Sequence, residues 1–212
     1  MASRGGWRKV ITSTGEVTYF QDPCAYEPSD DTWVAIEALE RLKGLGQRFE
    51  RILDMGSGTG ILGAVARALF NPTIIAAVDL SPFAAQASRL TLGADACVVQ
   101  CYAANCLRGR FDLVVLNPPY LPTPREEDDI CGGLSAAWSE EAGHEVLCAA
   151  ASRLGRYVLI VMSSLSRLNV DFCLSSVGLS KVAELARRRL FFEEVWAEVW
   201  SSEATLRPFL RP

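Results

Sequence analysis

Histidine is almost missing from this sequence of 212 residues; His144 is the only one. The seven cysteines include no Cys-x-x-Cys pair, and the nearest group, Cys97, Cys101 and Cys106, has the spacing of neither a zinc ribbon nor a redox pair. A metal centre would therefore need an unusual ligand set, and none is expected. Most of the cysteines are expected to be small buried apolar residues in a reducing compartment, with a disulfide in a thermophile's cytosol as the alternative. Long hydrophobic runs are missing too. No segment approaches the roughly 20 uninterrupted apolar residues of a membrane span, and the N-terminus lacks the apolar core of a signal peptide. A soluble, cytoplasmic protein is the expectation. There is no excess of positive charge: 21 Lys and Arg stand against 25 Asp and Glu, a net charge of −4. Binders of long nucleic acids usually carry a basic face. The one dense basic run, Arg187-Arg188-Arg189, reads as a solvated loop between two late strands. Internal repeats and low-complexity linkers are absent.

What is present is the composition of one compact domain, half hydrophobic and 22% charged. Residues 1–25 read as a polar lead-in, with a hairpin through Ser13-Thr14-Gly15. A helix is expected from a cap at Asp30 or Asp31 to about Leu42. Short apolar runs then alternate with helical segments. The strands read as 51–55, 73–78, 97–101, 111–116, 157–162, about 181–186 and 194–200. A helix over 61–70 follows the first of them. Strands in alternation with helices imply an α/β domain over 26–212, with a mostly parallel, doubly wound sheet and helices on both faces.

The most informative residues are Asn117-Pro118-Pro119-Tyr120, directly after the buried-strand pattern of Phe111 to Leu116. Two prolines cannot continue a ladder, so the chain must leave the sheet there. Ligands in open α/β sheets bind at the carboxyl ends of the strands. A side-chain amide, proline carbonyls and an aromatic face at such a mouth suit a flat –NH2 group. The Asn117 oxygen and the Pro118 carbonyl can each accept one N–H while Tyr120 covers the plane. Asp112 lies within the strand and reads as structural.

Upstream, the strand at 51–55 ends in Asp54-Met55 and runs into Gly56-Ser57-Gly58-Thr59-Gly60. Glycines permit a tight turn and close approach of a ligand to the backbone. A carboxylate just before them disfavours a pyrophosphate and favours a cationic ligand, and the sulfonium and ammonium of S-adenosylmethionine fit. The next strand closes on Asp79, followed by Leu80; an acid there can accept both ribose hydroxyls.

This ordered set resembles the class I S-adenosylmethionine-dependent methyltransferases, in the branch that carries Asn-Pro-Pro-Tyr and methylates glutamine N5 or adenine N6. Tyr26-Glu27-Pro28-Ser29-Asp30-Asp31-Thr32-Trp33 is similar to the opening of the eukaryotic and archaeal release-factor glutamine methyltransferases. Gly133 to Trp138 and Gly143 to Val146 resemble the segment that follows the catalytic motif in that family. The resemblance runs from about Tyr26 to Trp200. It implies a Rossmann-like sheet of order 3-2-1-4-5-7-6 with the last strand antiparallel, and S-adenosylmethionine as cofactor. The cofactor residues it implies are Thr32, Asp54, Gly56, Gly58, Gly60, Asp79, Leu80, Cys101, Tyr102 and Asn117. Substrate and catalysis fall to Asn117, Pro118, Pro119 and Tyr120, with no covalent nucleophile.

Two departures stand out. The acid that contacts adenine in the family falls at Cys101, followed by Tyr102; neither repeats a carboxylate, and Asn105 is a possible substitute. The stretch between Trp138 and Gly143 has lost a family glycine and carries Glu140-Glu141. The leading expectation is methylation of the glutamine in the Gly-Gly-Gln motif of a class I release factor, with adenine-N6 methylation of tRNA, rRNA or DNA as the alternative. Nothing before Tyr26 matches the helical recognition domain of bacterial relatives. The third strand of the implied order, within Ala96 to Tyr102, is an edge without charge or proline. Such an edge recruits other strands. The resemblance implies pairing with a small zinc-containing activator protein through residues near 80–87 and 94–99.

Overall fold

The computed structural model describes residues 5–102, 104–119, 131, 155–167 and 169–202. The lead-in folds as the expected hairpin, β1 (Gly6–Thr12) and β2 (Gly15–Gln21), paired antiparallel around Ser13 and Thr14. It does not extend the main sheet. β2 lies against two helices, with the Phe20 N–H donating to Thr91 Oγ1 at 2.9 Å.

Helix α1 (Asp30–Gly44) starts one residue earlier than a cap at Asp30 would give, because Ser29 is the N-cap. Ser29 and Thr32 form a reciprocal capping box, so two otherwise orphaned backbone donors are satisfied. Then come β3 (Arg51–Met55), α2 (Ile61–Phe70), β4 (Ile74–Asp79), α3 (Pro82–Leu92), β5 (Cys97–Gln100), β6 (Leu113–Leu116), β7 (Tyr157–Ser163), α4 (Val170–Ser175), β8 (Ser180–Arg189) and β9 (Glu194–Ser201).

The seven-stranded sheet has the order β5-β4-β3-β6-β7-β9-β8. β5 through β7 are parallel, and β9 runs antiparallel to both its neighbours. This is the expected doubly wound α/β sheet. Burial on both faces explains why its central strands read as unbroken apolar runs. Ile52, Ala77, Leu113, Val115 and Leu159 face one core with α1 and α2; Leu53, Val78, Val114, Leu116 and Ile160 face the other with α4. The alternation is set by the strand period of two.

Two expectations are corrected here. Arg187-Arg188-Arg189 is the end of strand β8, not a loop. Each arginine meets a carboxylate across the hairpin or on α1, and this neutralises a run that would otherwise repel itself. The cysteines are not mostly reduced: Cys24 pairs with Cys131, Cys101 with Cys106, and Cys173 is also disulfide-bonded. Among the described residues only Cys97 is free, and it is exposed. Cys24 and Cys131 are 107 residues apart, and only the fold brings their Cα atoms to 5.6 Å.

Candidate functional site

The carboxyl ends of β3, β4 and β6 converge, and each delivers one of the polar residues singled out above. β6 is held at its other end by Asp112, whose Oδ2 accepts from the Glu50 and Arg51 N–H groups, both at 2.9 Å. That carboxylate is structural, as read from the sequence.

After β6 the chain turns out at Asn117. Its Nδ2 donates to Asp31 Oδ2 at 3.0 Å. The same oxygen accepts from Tyr26 Oη at 3.0 Å, and Asp31 Oδ1 accepts from the Thr32 N–H at 2.6 Å and the Thr32 hydroxyl at 3.2 Å. Asp31 is buried in the first turn of α1, where the helix N-terminus favours a negative charge. Tyr26 stays a donor because burial, and then the Asp31 carboxylate, push its phenol well above the usual range.

The consequence falls on the other amide atom. Asn117 Oδ1 is buried and has no hydrogen-bond partner among the described residues, a state it shares only with Gln21 Oε1. A carboxylate on the –NH2 side leaves the amide one sensible orientation. The bare acceptor must then face whatever enters from outside. Pro118 is buried and Pro119 half-buried beside it, while Tyr120 lies outside the described residues, as do residues 133–138 and 143–146.

The second half of the site is the turn between β3 and α2. Gly56, Gly58 and Gly60 have φ of 66°, 53° and 76°, values that L side chains rarely adopt. A Cβ on Gly56 or Gly58 would meet nothing within 4 Å, so the backbone there borders open space. At Gly60 a Cβ would lie 2.9 Å from Ser88 Cα. Ser88, on α3 and fully buried, holds the turn in place: its Oγ lies 2.8 Å from Ser57 Oγ and donates to the Gly58 carbonyl at 3.0 Å.

Asp54 is buried beneath α2, and its Oδ2 accepts the Gly63 N–H at 2.7 Å. Its other oxygen makes no hydrogen bond among the described residues. Burial pushes its carboxyl up to about 7, opposed by the Gly63 N–H and reinforced by Asp79. A cation is what such a group lacks. Asp79 accepts from the Gly58 N–H (2.8 Å) on one oxygen and the Ser81 N–H (2.9 Å) on the other. Burial raises its pKa as well, and these backbone donors oppose the rise. Each oxygen keeps a further lone pair for a hydroxyl. Buried acids beside an open glycine turn fit the cationic, diol-bearing S-adenosylmethionine and would repel a pyrophosphate.

The structure thus gathers Asp54, Gly56, Gly58, Gly60, Asp79 and Asn117 at one edge of the sheet. Thr32 is there too, but its hydroxyl serves the α1 cap. Leu80 is 41% exposed on the rim. Cys101 follows β5, with its N–H on the Asp79 carbonyl at 2.7 Å and its sulfur bonded to Cys106. A disulfide offers no carboxylate-like acceptor. Asn105 is exposed, with its N–H closing a turn onto the Tyr102 carbonyl. Two residues escaped the sequence reading: Asp31, visible only as a cap candidate, and Ser88, which carries no motif. Among the described residues no group of three or more His, Cys, Asp or Glu is arranged to hold a metal, and no helix is long and apolar enough to cross a membrane.

Comparison with known proteins decides the family. The methyltransferase small domain model matches residues 34–157, more than half of the chain. The chain belongs to the methyltransferase small domain family. It is 32% identical over 131 residues to methyltransferase HEMK2 of Mus musculus, covering 58% of this chain and 61% of that protein. It is 37% identical over 113 residues to the release factor glutamine methyltransferase of Deinococcus radiodurans, covering 51% and 40%. The match therefore spans less than two thirds of these relatives' lengths. The E. cuniculi Mtq2–Trm112 complex, responsible for methylation of the eRF1 termination factor, superposes with a TM-score of 0.63 at 24% identity, over 85% of this chain and 99% of that one. A T. thermophilus 16S rRNA N2-guanine methyltransferase, solved with AdoMet and guanosine, gives a TM-score of 0.68 at 19% identity, over 95% and 51%. Both structural likenesses bear on the fold.

Proposed function

We propose that this chain methylates the side-chain amide nitrogen of the glutamine in the Gly-Gly-Gln motif of a class I translation release factor, with S-adenosylmethionine as methyl donor. The observation that carries the reading is Asn117 Oδ1, a buried acceptor without a partner among the described residues, whose amide is oriented by Asp31. An unmet buried acceptor costs roughly 1–3 kcal/mol, and an incoming N–H group removes that cost. The glutamine methyltransferase activity of the Deinococcus radiodurans relative supports this acceptor, and eRF1 methylation by the E. cuniculi complex supports a termination factor as substrate.

When bound, S-adenosylmethionine supplies an electrophilic methyl group with a neutral leaving group. Asp54 would face its positive charge, the turn from Gly56 to Gly60 would border it, and Asp79 would accept from its ribose hydroxyls. The protein's contribution to the chemistry is alignment. An amide lone pair is delocalised into its carbonyl. Hydrogen bonds from the substrate –NH2 to Asn117 Oδ1 and the Pro118 carbonyl would fix the nitrogen's orientation for transfer. Asp31 and Tyr26 keep the Asn117 amide from rotating. Bond formation to nitrogen would be matched by loss of the sulfur–methyl bond, and the nitrogen would release one proton to solvent.

A second reading, transfer to a planar exocyclic amine of a nucleobase, draws on the likeness to the T. thermophilus rRNA enzyme. The net charge of −4 and the neutralised arginines of β8 weigh against it.

A small zinc-containing activator, paired along β5, belongs to the same proposal. β5 is one of the two outer strands of the sheet, and the exposed Leu80, Phe83 and Leu90 lie just before and on the adjoining α3. Arg89 reaches the Ala96 and Val98 carbonyls at 2.7 and 3.5 Å, so an incoming strand must displace its side chain. A translation factor as substrate implies the cytoplasm, where lasting disulfides are a feature of hyperthermophiles.

The test is transfer of labelled methyl from S-adenosylmethionine to purified release factor or to total tRNA, by the chain with whatever activator co-purifies. Label is expected on the release factor and lost when the Gly-Gly-Gln glutamine is replaced by alanine. Label on tRNA alone would favour the nucleobase reading.

A further inference from the structure

The turn between β8 and β9 exposes two adjacent phenylalanines. Phe191 and Phe192 are 91% and 85% exposed, and their rings meet edge to face with centroids 4.6 Å apart. The turn itself is well held. The Leu190 N–H donates to the Glu193 carbonyl at 2.7 Å. Ser163 Oγ donates to the Glu193 carboxylate, the Ser164 N–H to the Glu194 carbonyl at 2.8 Å, and the Glu194 N–H to Ser164 Oγ at 2.9 Å. Ser163 and Ser164 sit at the carboxyl end of β7, the neighbour of β6 and hence of Asn117. On the other side Arg188 pairs with Asp30 at 2.9 Å, next in sequence to the Asp31 that holds Asn117. The phenyl pair therefore stands on a braced turn at the rim of the candidate active site.

We propose that Phe191 and Phe192 are a docking point for the protein substrate, gripping an apolar side chain beside the acceptor glutamine. The inference rests on the glutamine reading above. Two large apolar side chains side by side in water have little to stabilise them in the free protein, and interface anchors are typically aromatic. Charge distinguishes the kinds of partner. Arg187 meets Glu184 and Glu194, both at 2.6 Å, Arg189 meets Glu194 at 2.8 Å, and Arg188 meets Asp30. With each of these arginines on a carboxylate, the turn presents no surplus positive charge to a phosphate backbone, which nucleic-acid binding requires. The rim is apolar at its tip and neutral at its base, which matches a folded protein.

The test compares wild type with F191S/F192S in steady-state methyl transfer to intact release factor, alongside cofactor affinity by calorimetry and thermal melting. The expected result is a KM for release factor raised at least about tenfold, with kcat, cofactor affinity and melting unchanged. F191W/F192W is expected to restore KM, since it returns aromatic surface. An unaltered KM in the serine variant, or a fall in kcat alone, overturns the docking role while leaving the glutamine reading standing. Weakened RNA binding with unchanged release-factor kinetics also overturns it, in favour of base stacking. If wild type transfers nothing to release factor, the glutamine reading fails and the docking proposal falls with it.

Discussion

Two buried polar clusters in this molecule are built in opposite ways. At Glu198 on β9 every demand is met: Trp196 Nε1 and Lys181 Nζ donate to one carboxylate oxygen at 2.7 and 2.6 Å, and Trp200 Nε1 donates to the other at 3.1 Å. At Asn117 the network of Tyr26, Asp31 and Thr32 satisfies the –NH2 side and stops short of Oδ1. A closed cluster stabilises the fold, whereas an open one is a standing cost that a ligand can relieve. The difference separates scaffold from site more sharply than burial does.

The largest effect that would sharpen this contrast is expected from Asn117→Ala. Turnover should fall by a factor on the order of 100–1,000, the loss typical for one well-aimed polar contact in the transition state. Melting temperature and cofactor affinity should barely move. Retention of more than about a tenth of wild-type turnover would remove Asn117 from the reaction. Glu198→Ala is the mirror experiment. It leaves two indole N–H groups without their partner, and denaturant unfolding should show a loss of about 2–3 kcal/mol with kcat per folded molecule preserved. Should it instead abolish turnover in a fully folded protein, the assignment of this cluster to the scaffold is wrong.

Asp31→Asn should act between the two. An amide at position 31 can pair with either orientation of Asn117, so the acceptor no longer faces one way. A drop in kcat of about tenfold is expected, with cofactor affinity unchanged and a small change in stability. Asp31→Glu, which keeps the charge, should recover part of the rate; equal damage from both variants would point to packing alone. Asp79→Ala should weaken S-adenosylmethionine at least about tenfold by calorimetry, through loss of a ribose acceptor, and unchanged affinity would place the ribose elsewhere.

A further effect concerns pH. Asp54 is raised in the folded protein from 3.8 to about 7. A raised carboxyl binds its proton more tightly when folded, so its contribution to stability is complete below its unfolded value and is lost as pH rises through the folded one. The cofactor-free protein should lose melting temperature between pH 4 and 7, and Asp54→Asn should flatten that slope. A slope identical in both proteins would show that Asp54 does not titrate there.

Much of the architecture was legible because central parallel strands are buried on both faces and so read as short apolar runs; β3, β6 and β7 were visible within two residues at each end. The glycine turn and the Asn-Pro-Pro exit were legible for a related reason: each is backbone chemistry written in adjacent residues. β8 was read too short because its alternating, ion-paired arginines look like solvent until their carboxylates are placed opposite.

Chain order alone thus determined the elements, their alternation, and the local motifs that end on Asp54, Asp79 and Asn117, since these depend on neighbours in sequence. Tertiary structure decided everything that joins distant segments. It set Asp31 against Asn117, 86 residues away, and placed Ser88 under the glycine turn. It also joined Cys24 to Cys131. No spacing rule could foresee these pairings, because hydrogen bonds and disulfides depend on distance in space, and the packing of α1, α2 and α3 around the sheet sets that distance.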